Sequence, residues 1–422
     1  MQIAVYGSGY LGTVISACLA DFGTPVICYD EDVNRVAAQA EGMIPFYEKN
    51  LKDVLRRNQR AGRLTYTTEV TSLVEKAQVV FLAEDSYHYI EEVALKIARV
   101  AARDAVLVVA TPVPVGTAAR IEKRLRDAGS PMPVVSQPLF LTDGCALEDF
   151  NWPDRIVLGA ASPDAVLVLK QVYRPLVMRG VPVIVTNHET AELVREATTA
   201  FVATKISFIN ELAALCEHVS ADAMDLALAL GLDKKIAPRC LQPGTGLGGP
   251  FVESDMESLA RLAGGSGTTL LVLSAAREVH RAHCDLLVQK ITAAVESLPG
   301  RELGLLGLAF KPHTNCVAAS QSILLARSLM AKGANLRAYD PVAIPDARLA
   351  LDGTVRYCES PYAAAEGVDA LVVSTGWPEF RALDFERIKR LLRRPIIVDT
   401  KNLLDATRLR ALGFQYVGVG RA

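Results

Sequence analysis

Two glycine-rich stretches of this chain have residue types and spacing suited to holding phosphates. The first is Gly7-Ser-Gly-Tyr-Leu-Gly12, set between a short apolar run (Ile3–Tyr6) and a helical pattern lasting to about Phe22. In such a turn the first glycine makes the bend, the second admits a pyrophosphate and the third lets the helix pack on the strand. The helix N-terminus then offers N–H donors and the positive end of its dipole. A second apolar run, Pro25–Tyr29, ends at Asp30. A carboxylate there accepts from ribose hydroxyls and repels a 2′-phosphate, which predicts NAD rather than NADP. The expected cofactor contacts are Gly7, Gly9, Tyr10, Leu11, Gly12, Asp30, Arg35 and Ser86. The second stretch is Pro243-Gly-Thr-Gly-Leu-Gly-Gly-Pro-Phe-Val-Glu-Ser-Asp255. Gly244, Gly246, Gly248 and Gly249 allow a backbone to approach a diphosphate or sugar more closely than any Cβ would permit. Lys311, ending another apolar run, is either a phosphate contact or a solvated surface lysine.

These residues need elements to hold them. Beyond the first unit, strands are expected at Gln78–Ala83, Ala105–Ala110, Pro133–Val135 and Arg155–Gly159, and helices at Asp53–Arg60, Tyr89–Ala102 and Val115–Ala128. Such alternation predicts a doubly wound, mainly parallel sheet, with ligands beyond the carboxyl ends of its strands. The segments 84–88, 111–117 and 136–149 should therefore face the cofactor. Glu189 to about Val219 carries apolar residues at helical spacing, and helices follow at Ala221–Leu230, Asp255–Gly264 and Gly267–Ser297. Strands return at 302–311, Asn335–Asp340, Ala370–Ser374 and Pro395–Asp399, with a helix at Gln321–Lys332. The expected fold is α/β: two Rossmann-like doubly wound domains joined by a helical central domain with one long helix. The domain spans are 1–188 for NAD, 189–298 for the helical middle and 299–422 for a second α/β domain without a glycine fingerprint.

Composition narrows the function. A net charge of −2 with no basic block argues against nucleic acid as a partner. Eight cysteines lack CxxC or Cys/His ligand spacing, so they are expected to be reduced and no metal is expected. The apolar runs Val106–Ala110 and Leu270–Leu273 are short for a membrane span. Met1 leads straight into a strand pattern, which leaves no signal peptide and predicts a cytoplasmic protein.

The order of motifs resembles the UDP-glucose/GDP-mannose dehydrogenase family across nearly the whole chain. The matching segments are Gly7–Gly12, Val113-Pro-Val-Gly-Thr117, Pro153-Asp-Arg155, Ala203-Thr-Lys-Ile-Ser-Phe-Ile-Asn-Glu211, Pro243–Gly249, Gly307-Leu-Ala-Phe-Lys311, Tyr339-Asp-Pro341 and Trp377-Pro-Glu-Phe380. The resemblance implies an N-terminal NAD domain, a helical dimerising middle and a C-terminal domain for a nucleotide sugar. It also implies substrate contacts from Phe140, Leu141, Asn210, Lys235, Gly246, Gly248, Gly249 and Lys311, and a homodimer. Family enzymes oxidise a sugar C6 alcohol to a carboxylate with two NAD, through a cysteine thioester.

The family's catalytic groups are mostly replaced. Its Gly-Gly-Ser-Cys-Phe-Pro-Lys-Asp reads Gly248-Gly-Pro-Phe-Val-Glu-Ser-Asp255, so the nucleophile position is Phe251 and the Lys is Ser254. The catalytic Lys of its Glu-Leu-x-Lys is Arg195, and the Asn one turn later is Thr199. Its Pro-Glu-Phe-Leu-x-Glu is Pro138-Leu-Phe-Leu-Thr-Asp143, and the Thr of its Ser-Thr-Val-Pro is Pro112. The Arg of Asp-x-Arg-Glu-Ser is Ala318, and an Arg reaching the nucleotide across the dimer is Lys235. Phe cannot attack an aldehyde, and Arg cannot shuttle a proton as Lys can. Asp143, Arg195 and Asp255 are the polar remnants. Three readings follow: two-electron oxidation of a nucleotide sugar or related ligand, a non-catalytic regulatory relative that binds NAD, and four-electron oxidation without a thioester. Cys145 and Cys316 lie in plausible loops but at positions that are not nucleophilic in the family. Phe251 would serve as an apolar wall against nicotinamide or in a vacated sugar site.

Overall fold

Strands buried on both faces organise the chain. In the computed structural model, which describes residues 1–351 and 353–421, the chain divides into a unit of Met1–Ala197 and a second unit from Thr198 onward. The first holds β1 (Ile3–Tyr6), β2 (Val26–Tyr29), β3 (Leu64–Thr67), β4 (Val79–Leu82), β5 (Val106–Val109), β6 (Val134–Ser136), β7 (Ile156–Ala160) and β8 (Val183–Thr186). Their order is β3-β2-β1-β4-β5-β6-β7-β8, parallel throughout except for the β6–β7 pair. Successive side chains point to opposite faces of a strand. Ile3, Val5, Val79 and Phe81 accordingly join one core layer, and Ala4, Tyr6, Val80 and Leu82 the other. Strand order reverses between β1 and β4, which opens the crevice where doubly wound sheets bind ligands.

The second unit begins inside the long helix His188–His218 and continues with helices Ala223–Leu232, Val252–Gly265 and Leu271–Val295. Its sheet contains β9 (Glu302–Leu306), β10 (Asn335–Tyr339), β11 (Arg356–Tyr357), β12 (Ala370–Val373), β13 (Ile396–Asp399) and β14 (Gln415–Gly418). The order is β11-β10-β9-β12-β13-β14, all parallel. Leu303, Leu305, Ala370 and Val372 face one core; Leu306, Leu371 and Val373 face the other.

Several sequence expectations change, and the strand expected over 302–311 ends at Leu306. The helix expected from Asp255 starts at Val252, placing Phe251 at its N-cap. The helix expected over Gly267–Ser297 is Leu271–Val295. The short apolar runs also understated the long helix, which is long and apolar enough to cross a membrane by length and composition (mean hydropathy 1.3). Its Ser207 and Asn210 are nevertheless buried on protein partners, the Ala276 carbonyl and the Gly244 N–H, as in a core helix.

Candidate functional site

In the first unit the glycine turn is built as its spacing requires. Gly7 has φ +101° and donates its N–H to the Tyr29 carbonyl; a Cβ there would stand 2.6 Å from the Ala83 oxygen. A Cβ on Gly12 would stand 1.8 Å from the Gly7 oxygen, so helix and turn touch where only glycine fits. Tyr10 and Leu11 open the helix Tyr10–Asp21, and its N-cap Gly9 supplies no side-chain cap.

Asp30 closes the turn. One carboxylate oxygen accepts from the Ser8 N–H (3.0 Å), the Ser8 hydroxyl (2.9 Å) and Arg35 Nη1 (3.1 Å), and the other from the Asp32 N–H (3.0 Å). Burial opposes its charge, but the Asp32 and Ser8 donors and Arg35 outweigh burial and hold its pKa below the ordinary value. Arg35 is thus tied to Asp30. Ser86 is exposed, with its hydroxyl 2.7 Å from His88 Nδ1. Two acids at the end of β4 lie in the segment 84–88 expected to face the cofactor, but were not singled out as site residues. Burial, with Asp30 next, pushes Glu84 up to about 7, and burial also raises Asp85.

Nearby, the Tyr10 hydroxyl donates to Glu48 (2.7 Å), and Glu48 accepts the N–H groups of Gly144 and Ala146. Burial first, then the charges of Asp143 and Glu48, drive the Tyr10 pKa far above its ordinary value. Tyr10 therefore remains a donor, shared with Asp143. Phe140 lies under the Arg155 guanidinium, 3.9 Å from its ring centre, and Leu141 packs on the core. Arg195 is half-buried on the long helix. One turn earlier, Glu192 accepts the N–H groups of Gly116 and Ala118 and is raised by burial to about 7.

The second unit holds a cavity of about 380 Å³ lined by Gln242–Gly246, Lys311, Arg381 and Lys401. Asn210 fixes its floor by accepting the Gly244 N–H (2.9 Å), and His283 Nε2 meets the Gly244 carbonyl. Gly246 has φ +93° and lines the cavity. Gly248 and Gly249 are not among its lining residues: a Cβ on either would stand 2.9–3.2 Å from Phe310 or the Ala319 carbonyl, so the loop packs closely there. Lys311 is at the cavity, as a phosphate contact would be. Lys401 was missed, although it follows β13 as Lys311 follows β9; burial lowers its pKa to about 8 against the pull of Asp399. Lys235 is exposed and not among the lining residues.

Phe251 is 46% exposed at the start of the helix Val252–Gly265. Asp255, one turn on, is buried, donates its N–H to the Phe251 carbonyl and accepts the Thr199 hydroxyl at 2.9 Å. Cys145 and Cys316 are half-buried, whereas the exposed Cys240 lines the cavity.

Comparison with known proteins accounts for the whole length. Residues 1–177 match the NAD-binding domain of the UDP-glucose/GDP-mannose dehydrogenase family, 189–282 its central domain and 304–406 its UDP-binding domain. UDP-glucose 6-dehydrogenase of Rhizobium meliloti is 36% identical over 100% of both chains. The chain belongs to the UDP-glucose/GDP-mannose dehydrogenase family. UDP-glucose 6-dehydrogenase TuaD of Bacillus subtilis is 34% identical, covering 100% of this chain and 93% of that one. Among solved structures, a UDP-glucose dehydrogenase from Pyrobaculum islandicum has a TM-score of 0.90 at 31% identity, covering 100% of this chain and 98% of that one. The cofactor of this family is NAD, and the first unit fits it: a turn where a Cβ would block the approach, an uncapped helix start and a strand-end carboxylate.

Proposed function

We propose that this chain oxidises one alcohol of a nucleotide sugar or related ligand by a single hydride transfer. The product is an aldehyde or ketone, formed without a thioester. The observation that carries this reading is Phe251. It stands at a helix N-cap, a place that would lower a thiol's pKa and make it a nucleophile, and it offers an unreactive ring.

Bound NAD supplies the hydride acceptor. The chain's own residues bind and polarise. The Gly7–Gly12 backbone and Asp30 hold the dinucleotide. Lys311, Arg381 and Lys401 give the second-unit cavity the charge to take a diphosphate, with UDP favoured by the UDP-binding match to residues 304–406. As the alcohol carbon loses hydride its oxygen loses a proton. Asp143, beside the Tyr10 hydroxyl, is the carboxylate offered to that proton. The Arg195 guanidinium stabilises the developing alkoxide. Asp255, tied to Thr199, shapes the loop that carries Phe251.

We further propose a cytoplasmic homodimer. All eight cysteines are free, as suits a reducing compartment. Phe201, Phe208 and Leu215 recur every seventh residue of the long helix and are all more than half exposed, a stripe suited to a second copy. Lys235 is kept as a contact made across that dimer.

The test is NADH formation by the purified chain with UDP-glucose, UDP-N-acetylhexosamines and GDP-mannose, with product mass measured in parallel. One NADH per product, and a product lighter by two hydrogens, is expected. Uronate with two NADH would sink the proposal. NAD binding by calorimetry without turnover on any sugar would favour the non-catalytic reading. Phe251→Cys is expected to gain a thiol that alkylates readily but to form no uronate, because Arg195 and Ser254 stand in place of the family's lysines.

A further inference from the structure

The helix Tyr10–Asp21 starts without a cap of its own. Gly9 has no side chain to offer, and no acid stands in the first turn. The N–H groups at such a start need an acceptor, and the structure supplies one from the end of β4. The Asp85 carboxylate faces this helix start, where the Tyr10 N–H favours its charged form. Its Oδ2, Oδ1 and Cγ lie 2.1, 2.2 and 2.4 Å from the point where a Cβ on Gly9 would be. The space above the second glycine of this turn is the space kept open for a pyrophosphate. Here a carboxylate of the chain itself fills it. Carboxylate and phosphate make the same demand on a helix N-terminus, namely N–H donors and the positive dipole end.

We propose that Asp85 is an internal anion seated at the pyrophosphate position of the free protein, and that a dinucleotide binds by displacing it. Cofactor affinity is then set by competition between the two anions. The groups around Asp85 shape that competition. Arg35, from the helix Val33–Ala40, attracts it; Asp30, from the end of β2, repels it, and Glu84 lies beside it in sequence. The same acids repel an arriving pyrophosphate. If the seat is vacant in about one-tenth to one-hundredth of molecules, apparent affinity is weakened by about ten- to one-hundred-fold. Protonation releases the seat, so affinity should rise as pH falls. Glu84 acts in the same direction, and Glu84→Gln separates the two contributions.

The experiment is calorimetry on the full chain with NAD, ADP-ribose and adenosine, comparing wild type with Asp85→Ser and Asp85→Asn. Asp85→Ser should tighten NAD and ADP-ribose by about ten-fold or more and leave adenosine, which has no pyrophosphate, within about two-fold. Asp85→Asn keeps an oxygen acceptor without the charge and should fall between. It also serves as the test variant if the serine form does not fold. Unchanged or weaker ADP-ribose binding in the variants would overturn the proposal, as would an equal gain for adenosine, which would mark a general loosening of the site.

Discussion

The two sheets build the same turn and use it differently. β1 and β9 each end in a glycine of positive φ, +101° at Gly7 and +99° at Gly307. Each donates its N–H to the tyrosine that ends the neighbouring strand, Tyr29 or Tyr339. The residue after each tyrosine is an aspartate that accepts the next N–H of the turn, Ser8 to Asp30 and Leu308 to Asp340. There the likeness ends. In the first unit a helix starts at Tyr10 with its N–H groups directed at ligand space. In the second, a loop fills that place and the helix waits until Gln321. Asp340 is spent on protein: it accepts from Leu308, Ala309, Val342 and Ala343 N–H groups and from Trp377 Nε1. A strand-end acid is thus a property of the fold. It serves a ligand only where a helix start accompanies it, and the second unit instead gathers the cations Lys311 and Lys401 around its cavity.

The largest effects should come from the glycines. A Cβ on Gly307 would stand 2.3 Å from Thr375 Cβ and one on Gly7 2.6 Å from a backbone oxygen, both at positive φ. Gly7→Ala and Gly307→Ala should each cost about 3 kcal/mol or more, measured by denaturant melts. Only Gly7→Ala should also abolish NAD binding in calorimetry. A Gly307→Ala variant that melts like wild type would break the equivalence of the turns.

Next is Asp340→Asn. Five donors converge on a buried carboxylate, and its neutral replacement leaves at least one of them facing an amide N–H. The expected loss is about 2–3 kcal/mol in a melt, with the Kd for NAD unchanged. A shift in that Kd would show that the second acid is more than structural.

This division of labour was partly legible in the sequence. The Gly7–Asp30 fingerprint is local, with its glycines, helix start and strand-end acid all within a single βαβ unit, and the structure builds it as its spacing requires. The long helix was expected over Glu189 to about Val219 and is His188–His218, because thirty residues of helical period survive any local ambiguity. Four strands were missed, and they are the edge strands of the two sheets: β3, β8, β11 and β14. Paired on one side only, β3, β11 and β14 carry mixed sequences such as Leu64-Thr-Tyr-Thr67 and Arg356-Tyr357 in place of a continuous apolar run, whereas β8, Val183-Ile-Val-Thr186, is a short apolar run that was passed over. Lys401 was missed, and Asp85 was placed only within a segment facing the cofactor, for another reason. Each gains its role from a strand end brought beside a glycine turn or loop distant in the chain, and nothing in the neighbouring sequence marks it.

Lys401→Met tests where the second unit holds its ligand. Burial leaves Lys401 with a pKa of about 8 in the free protein, so the cation is lost as pH rises through that value. UDP affinity should fall over the same range, and Lys401→Met should lower it about ten-fold at neutral pH, about 1.4 kcal/mol, while flattening the pH dependence. The linkage to stability has the opposite slope. Between pH 8 and the higher unfolded pKa the unfolded chain binds more protons, so the native state gains stability as pH rises.

The smallest effect on stability should come from Asp30→Asn, the counterpart of Asp340→Asn. Asp30 has four donors, one of them the half-exposed Arg35, whose pairing contributes little in solvent. The Ser8 hydroxyl can turn to meet an amide. The expected cost is about 1 kcal/mol at neutral pH, well below that for Asp340. The folded pKa of Asp30 lies below its ordinary value, so its stabilisation is present above about pH 4 and lost as pH falls through the folded value. Melts of wild type and Asp30→Asn should therefore converge in acid. NAD affinity should nevertheless fall about ten-fold, the scale of a lost charge-assisted hydrogen bond, because one acceptor for the ribose hydroxyls is weakened. Equal stability losses for Asp30→Asn and Asp340→Asn, with no change in NAD binding, would mean that both acids serve only their own turns.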